Sequence, residues 1–93
     1  MKEVIMMSKD GCGTCTEFGP VAKQLAEERG FGFKVIKNPT IELPFFPYYY
    51  LMNNGQVVEE WGGGSDKKFI RVLDRALKSF AAEEGDSDGS SEG

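Results

Sequence analysis

The 93-residue sequence contains no histidine and only two cysteines, four prolines and one tryptophan. Without histidine there is no Cys/His pair, so cysteine-protease chemistry is excluded. Two cysteines and no histidine also fall short of the four nitrogen or sulfur ligands of a structural zinc site within one chain. A framework of structural disulfides is excluded on the same count. No apolar run approaches the roughly 20 residues that cross a bilayer. The N-terminal run, residues 4–7, is shorter than a signal-peptide core. The expectation is a cytoplasmic protein that does not engage membranes.

Positive charge is also scarce. The formal net charge is -4, and Glu83, Glu84, Asp86, Asp88 and Glu92 sit in the last eleven residues with no basic residue among them. The remainder of the chain is therefore close to neutral. It carries no electrostatic footprint for nucleic acid and no basic amphipathic helix for a lipid surface.

What is present suits a small globular domain over residues 1–82, followed by an acidic Gly/Ser tail over 83–93. That tail cannot bury apolar surface and is expected to be disordered. Residues 2–7 read as a strand, and Ser8-Lys9-Asp10-Gly11 as a polar break. A helix follows, with Phe18, Val21, Ala22, Leu25 and Ala26 on one stripe and Gly30 as its stop signal. Residues 31–37 read as a second strand, with Phe31, Phe33 and Val35 on one side. Residues 48–52 are rich in aromatic residues, and Asn53-Asn54-Gly55 turns them into a returning strand over 56–61. Ser65 or Asp66 caps a last helix striped by Phe69, Val72, Leu73, Ala76, Leu77 and Phe80. The order is β-α-β, a connection, then β-β-α. This predicts an α/β fold with a four-stranded mixed sheet and two main helices.

The chemistry concentrates in Cys12-Gly13-Thr14-Cys15, at the junction of the first strand and first helix. The first turn of a helix offers unpaired N–H groups and the positive end of the dipole. A thiolate at Cys12 is favoured there, and the thiolate is the form that attacks disulfides. Cys15 lies one turn later, within reach of a mixed disulfide on Cys12. Lys9 adds a nearby positive charge. The remaining metal reading is a cluster or ion bridged between two chains.

These residues resemble the thioredoxin and glutaredoxin superfamily. Residues 8–15 look like the active-site entry of glutaredoxins, and Pro20 stands where thioredoxins carry a helix-kinking proline. Pro47 with its strand and hairpin is similar to the cis-proline hairpin of thioredoxins. Gly63-Gly64-Ser65-Asp66 is similar to the glutaredoxin motif that opens the last helix. There are differences. Gly11 stands in place of the thioredoxin tryptophan, Met6 in place of a buried acid, and Thr14 in place of the glutaredoxin aromatic. The segment between residues 37 and 47 is too short for the intervening helix of either family, so that helix is expected to be reduced or missing.

The resemblance implies a thioredoxin-like fold and a thiol–disulfide oxidoreductase, with Cys12 as nucleophile and Cys15 as resolving cysteine. It implies that Lys9, Phe46, Pro47, Gly64, Ser65 and Asp66 meet the substrate, with Phe46 offering its backbone. In glutaredoxins the positions of Ser65 and Asp66 hold the glutamyl end of glutathione, which implies that Lys9 sits near its other carboxylate. No tightly bound cofactor is expected, and glutathione enters as a co-substrate. The implied partners are a disulfide-bearing protein and either glutathione or a flavoprotein disulfide reductase as donor. The chain itself is expected to be a monomer.

Overall fold

The computed structural model describes residues 2–84. In chain order the elements are β1 (Lys2–Ser8), α1 (Gly13–Glu28), β2 (Gly32–Lys37), β3 (Tyr48–Asn53), β4 (Gln56–Gly62) and α2 (Asp66–Glu84). The strands form one sheet in the order β2-β1-β3-β4. β1 pairs with β2 in parallel, from Glu3 opposite Gly32 to Ser8 opposite Lys37. β3 runs antiparallel to both β1 and β4. This is the expected mixed four-stranded sheet. Residues 38–47 hold only bends before β3, so the intervening helix is missing.

The strand pattern puts every second residue on one face. Val4 and Met6 of β1 lie opposite Leu51 and Tyr49 of β3, and Tyr49 lies opposite Trp61 of β4. All five are buried. Both helices cover this row. Phe18 of α1 meets Tyr49 edge-on at 6.3 Å, and Phe69 of α2 meets Tyr49 at 5.1 Å and Trp61 at 5.5 Å. Phe69 is fully enclosed, and burial of a side chain of that kind contributes about 1.5–3 kcal/mol. The stripe expected on α2 is the buried one, with Leu77 packed against its margin.

Local signals end the elements as their chemistry dictates. After α1, Gly30 takes φ +83°, its N–H reaches the Glu27 carbonyl, and the Phe31 N–H reaches Ala26. This paired closure needs the left-handed glycine. Asn54 and Gly55 both have positive φ, the pattern of a two-residue hairpin turn.

Three expectations need correction. Phe31 belongs to the helix closure, and β2 starts at Gly32. Val21 and Val35 are 42% and 52% exposed, because apolar spacing marks a face without guaranteeing a neighbour to cover it. β2 in particular is an edge strand. α2 also continues through Glu83 and Glu84, two residues past the expected start of the tail, and residues 85–93 lie outside the described residues. No helix among the described residues is long and apolar enough to cross a membrane.

Candidate active site

β1 ends on Ser8, which is buried, and the chain reaches α1 through three exposed residues. Gly11 takes φ +81° in this bend. Cys12 is the residue before the helix proper, with extended backbone, and its sulfur accepts the Cys15 N–H at 3.1 Å. Its own N–H bonds back to the Lys9 carbonyl at 3.4 Å, and its carbonyl receives the Thr16 N–H at 3.2 Å. A sulfur thus fills the capping place that a hydroxyl or carboxylate ordinarily takes. The first turn of α1 contains no acidic residue, so its partial positive charge faces Cys12 uncompensated.

Cys12 and Cys15 are joined by a disulfide. Cys15 is 5% exposed, whereas Cys12 is half-buried. The outer sulfur is the one a second molecule can reach. Among the described residues no group of three or more cysteines and carboxylates gathers to hold a metal ion.

The bend before Cys12 is held from the neighbouring loop. The Asp10 N–H donates to Asn38 Oδ1 at 3.1 Å, and Asn38 Nδ2 donates to Asp10 Oδ2 at 3.2 Å. The Asn38 N–H also bonds the Ser8 carbonyl at 2.7 Å, and Lys37 Nζ lies 3.8 Å from Asp10. In the sequence, residue 38 stands only in the connection that follows the second strand. Its partner is 28 residues away, and nothing local in the sequence announces that pairing.

A second wall comes from the connection before β3. The Phe46–Pro47 peptide bond is cis, and Pro47 is buried. The Pro47 carbonyl accepts the Gly63 N–H at 2.9 Å, which ties this loop to the start of the β4–α2 connection. Phe46, like Cys12, packs against the margin of the core. Lys9 Nζ stands 5.1 Å above the centre of the Phe46 ring, a cation–π contact between two residues singled out separately from the sequence.

The third wall is residues 63–66. A side-chain carbon on Gly64 would stand 2.5 Å from the Thr14 methyl, so the connection passes directly against the segment between the two cysteines. The Tyr49 hydroxyl donates to the Gly63 carbonyl at 2.9 Å from within the core. Burial pushes this phenol well above the usual tyrosine range. Ser65 Oγ accepts the Lys68 N–H at 3.2 Å, and its carbonyl receives the Phe69 N–H. Asp66 opens α2 as the acid of its first turn.

The cysteine segment is thus bordered by Lys9 and Gly64, with Phe46 reaching Lys9 and Pro47 bonded to Gly63. Ser65 and Asp66 follow directly, but the Ser65 side chain is engaged in starting α2.

No protein-family model and no curated protein matches the sequence. Solved structures do match its fold. A thioredoxin f2, solved in complex with ferredoxin:thioredoxin reductase, is 18% identical at a TM-score of 0.72, over 82% of this chain and 77% of that one. Thioredoxin 1 of Thermosipho africanus is 16% identical at 0.70, over 82% of this chain and 94% of its own. Fasciola hepatica thioredoxin is 20% identical at 0.69, over 80% and 79%. The fold is thioredoxin-like, reduced by the helix that residues 38–47 are too few to form.

Proposed function

We propose that the protein is a thiol–disulfide oxidoreductase in which Cys12 attacks and Cys15 resolves. The observation that carries this reading is the disulfide itself, set at the start of α1 with Cys12 outermost and Cys15 enclosed. In the reduced protein the Cys12 thiolate keeps the Cys15 N–H and the open end of the α1 dipole. It attacks one sulfur of a substrate disulfide, giving a mixed disulfide and expelling the other sulfur as a thiolate. The Cys15 thiolate then attacks Cys12 Sγ, which releases the second substrate thiolate and restores the internal disulfide. Two electrons pass from the dithiol to the substrate, and the released thiolates take up protons from water. A thiol donor reverses the sequence to reload the pair.

The substrate class favoured is a protein disulfide presented in extended form beside Phe46 and Pro47. The fold neighbours are thioredoxins, and the Ser65 hydroxyl, expected to meet glutathione, accepts the Lys68 N–H as a helix cap. A flavoprotein disulfide reductase is the proposed donor, and the protein acts as a monomer in the cytoplasm. The test couples reduction of insulin disulfides to such a reductase, and in parallel a glutathione mixed disulfide to glutathione and its reductase, with Cys12→Ser as the blank. Turnover of insulin that vanishes in the blank supports the reading. Turnover of the mixed disulfide alone would transfer it to glutathione chemistry and give Lys9, Ser65 and Asp66 their binding roles. Full activity in the blank would overturn the assignment of Cys12.

A further inference from the structure

The sheet ends in β4, which among the described residues is paired with β3 alone. We propose that this edge, with the adjoining face of α2, is a docking surface for an extended acidic segment of a partner protein. A groove of about 350 Å³ lies here, between Phe45, Trp61 and Gly62 on one side and Lys68, Arg71 and Arg75 on the other. The three cations are spaced i, i+3, i+7, so they line one face of the helix. Arg75 reaches β4 itself, with two hydrogen bonds to Glu59 at 2.8 and 3.1 Å. That contact places the basic row alongside the strand edge.

Charge decides the kind of occupant. Lys68 and Arg71 are exposed and have no ion-pair partner among the described residues, in a chain whose body is close to neutral. The one further acid in the groove, Glu60, accepts the Tyr48 hydroxyl at 3.2 Å. Trp61 lines the groove and is 5% exposed, and its Nε1 is the buried side-chain polar atom that finds no partner among the described residues. Further along the same strand, Val57 and Val58 are 51% and 42% exposed. An added strand accounts for the strand edge, the two cations and the exposed valines together. Its backbone pairs with the free edge, its carboxylates meet Lys68 and Arg71, and its alternate side chains cover the valines. Neither cysteine lines this groove, so its occupancy does not depend on the proposed reaction.

The test is a nuclear magnetic resonance titration of the full chain with a synthetic octapeptide of alternating glutamate and valine, against a glutamine/valine control. The single tryptophan gives one indole N–H signal to follow. Saturable shifts of that signal and of the amides of residues 59–62 with the glutamate peptide are expected. Combined Lys68→Glu and Arg71→Glu should weaken binding by about tenfold or more, with the spectrum confirming an intact fold. Lys23→Glu, an exposed site on α1, should leave binding unchanged. Equal binding of the glutamine peptide, shifts confined elsewhere, or equal weakening by Lys23→Glu would overturn the proposal. So would an indole signal that moves with protein concentration alone, which makes a second copy the occupant. So, finally, would one that moves when Asp86, Asp88 and Glu92 are changed to Asn, Asn and Gln in the free protein, which makes the chain's own acidic end the occupant.

Discussion

Two helices begin against each other in this molecule, one capped by sulfur and the other by oxygen. Cys12 Sγ accepts the N–H three residues on, at 3.1 Å, and Ser65 Oγ does the same at 3.2 Å. Their first turns differ in whether they contain an acid. α2 carries Asp66 as its first residue, ahead of Lys67 and Lys68, and a carboxylate at that position is favoured by the helix dipole. α1 carries no acid there. In the reduced form that the proposed reaction requires, an ionised Cys12 would be the anion that α1 otherwise lacks, and one that could leave its cap to form a bond. On the proposed function, the same backbone device starts one helix and, beside it, would set up a nucleophile.

The sharpest way to break the comparison is to give α1 the cap of α2. Cys12→Ser replaces the sulfur with a good capping hydroxyl. Turnover of a disulfide substrate should fall by about a thousandfold or more, since no thiolate remains to attack. Stability relative to the reduced wild type, measured by urea unfolding, should change by no more than about 1 kcal/mol. A large loss of stability would mean that the sulfur does more in the fold than cap it.

The two helix starts touch through Gly64, and this contact predicts the next largest effect. A β-branched side chain there meets the Thr14 methyl, and the segment must shift to admit it. Gly64→Val should cost about 1–3 kcal/mol in urea unfolding. It should also slow turnover, because Thr14 sits between the cysteines. Unchanged turnover with lowered stability would show that the wall supports α2 alone.

What the sequence disclosed about this site was local. The cysteine pair, the proline before the hairpin and the cap at Ser65 each act through neighbours a few residues away, so spacing suffices to find them. The packing of Gly64 on Thr14 and the clip between Asp10 and Asn38 depend on how the sheet brings distant loops together, and no short pattern encodes that. Lys9 stands between these cases. It was singled out for its charge beside the cysteines, while its seat over Phe46 required the fold. The same division holds for the architecture. Element order and the α2 stripe were legible from periodicity, whereas the exposure of Val21 and Val35 depends on what the neighbouring elements leave uncovered.

Tyr49 links the oxygen-capped helix to the core through the Gly63 carbonyl, and its titration offers a pH probe of that link. Burial raises its folded pKa above the value of about 10 in an unfolded chain. The folded state then keeps a proton that the unfolded state gives up. Stability from this source is fully present below about pH 10 and declines as the pH rises further. Tyr49→Phe should cost about 1–2 kcal/mol at pH 7, from the carbonyl left without its donor. It should also make the decline above pH 10 shallower than in the wild type. Parallel curves in urea unfolding at pH 8 and 10.5 would place the alkaline sensitivity elsewhere, with Tyr48 the next group to test, since its phenol is also raised by burial and then by its bond to Glu60.

The smallest expected effect is the one that best separates the two caps. Ser65→Ala removes the acceptor of the Lys68 N–H and nothing else that the structure joins to the cysteines. Loss of a helix-capping hydroxyl costs about 0.5–2 kcal/mol, and Asp66 remains to complement the dipole. Stability should therefore drop by about 1 kcal/mol, while turnover of a protein disulfide stays within about twofold of wild type once both proteins are fully folded. The contrast with Cys12→Ser then lies in the reaction, which one substitution abolishes and the other leaves nearly unchanged. A loss of glutathione-linked turnover in Ser65→Ala, larger than the stability change explains, would give the hydroxyl a ligand besides Lys68. The start of α2 would then belong to the reacting surface as well as to the fold.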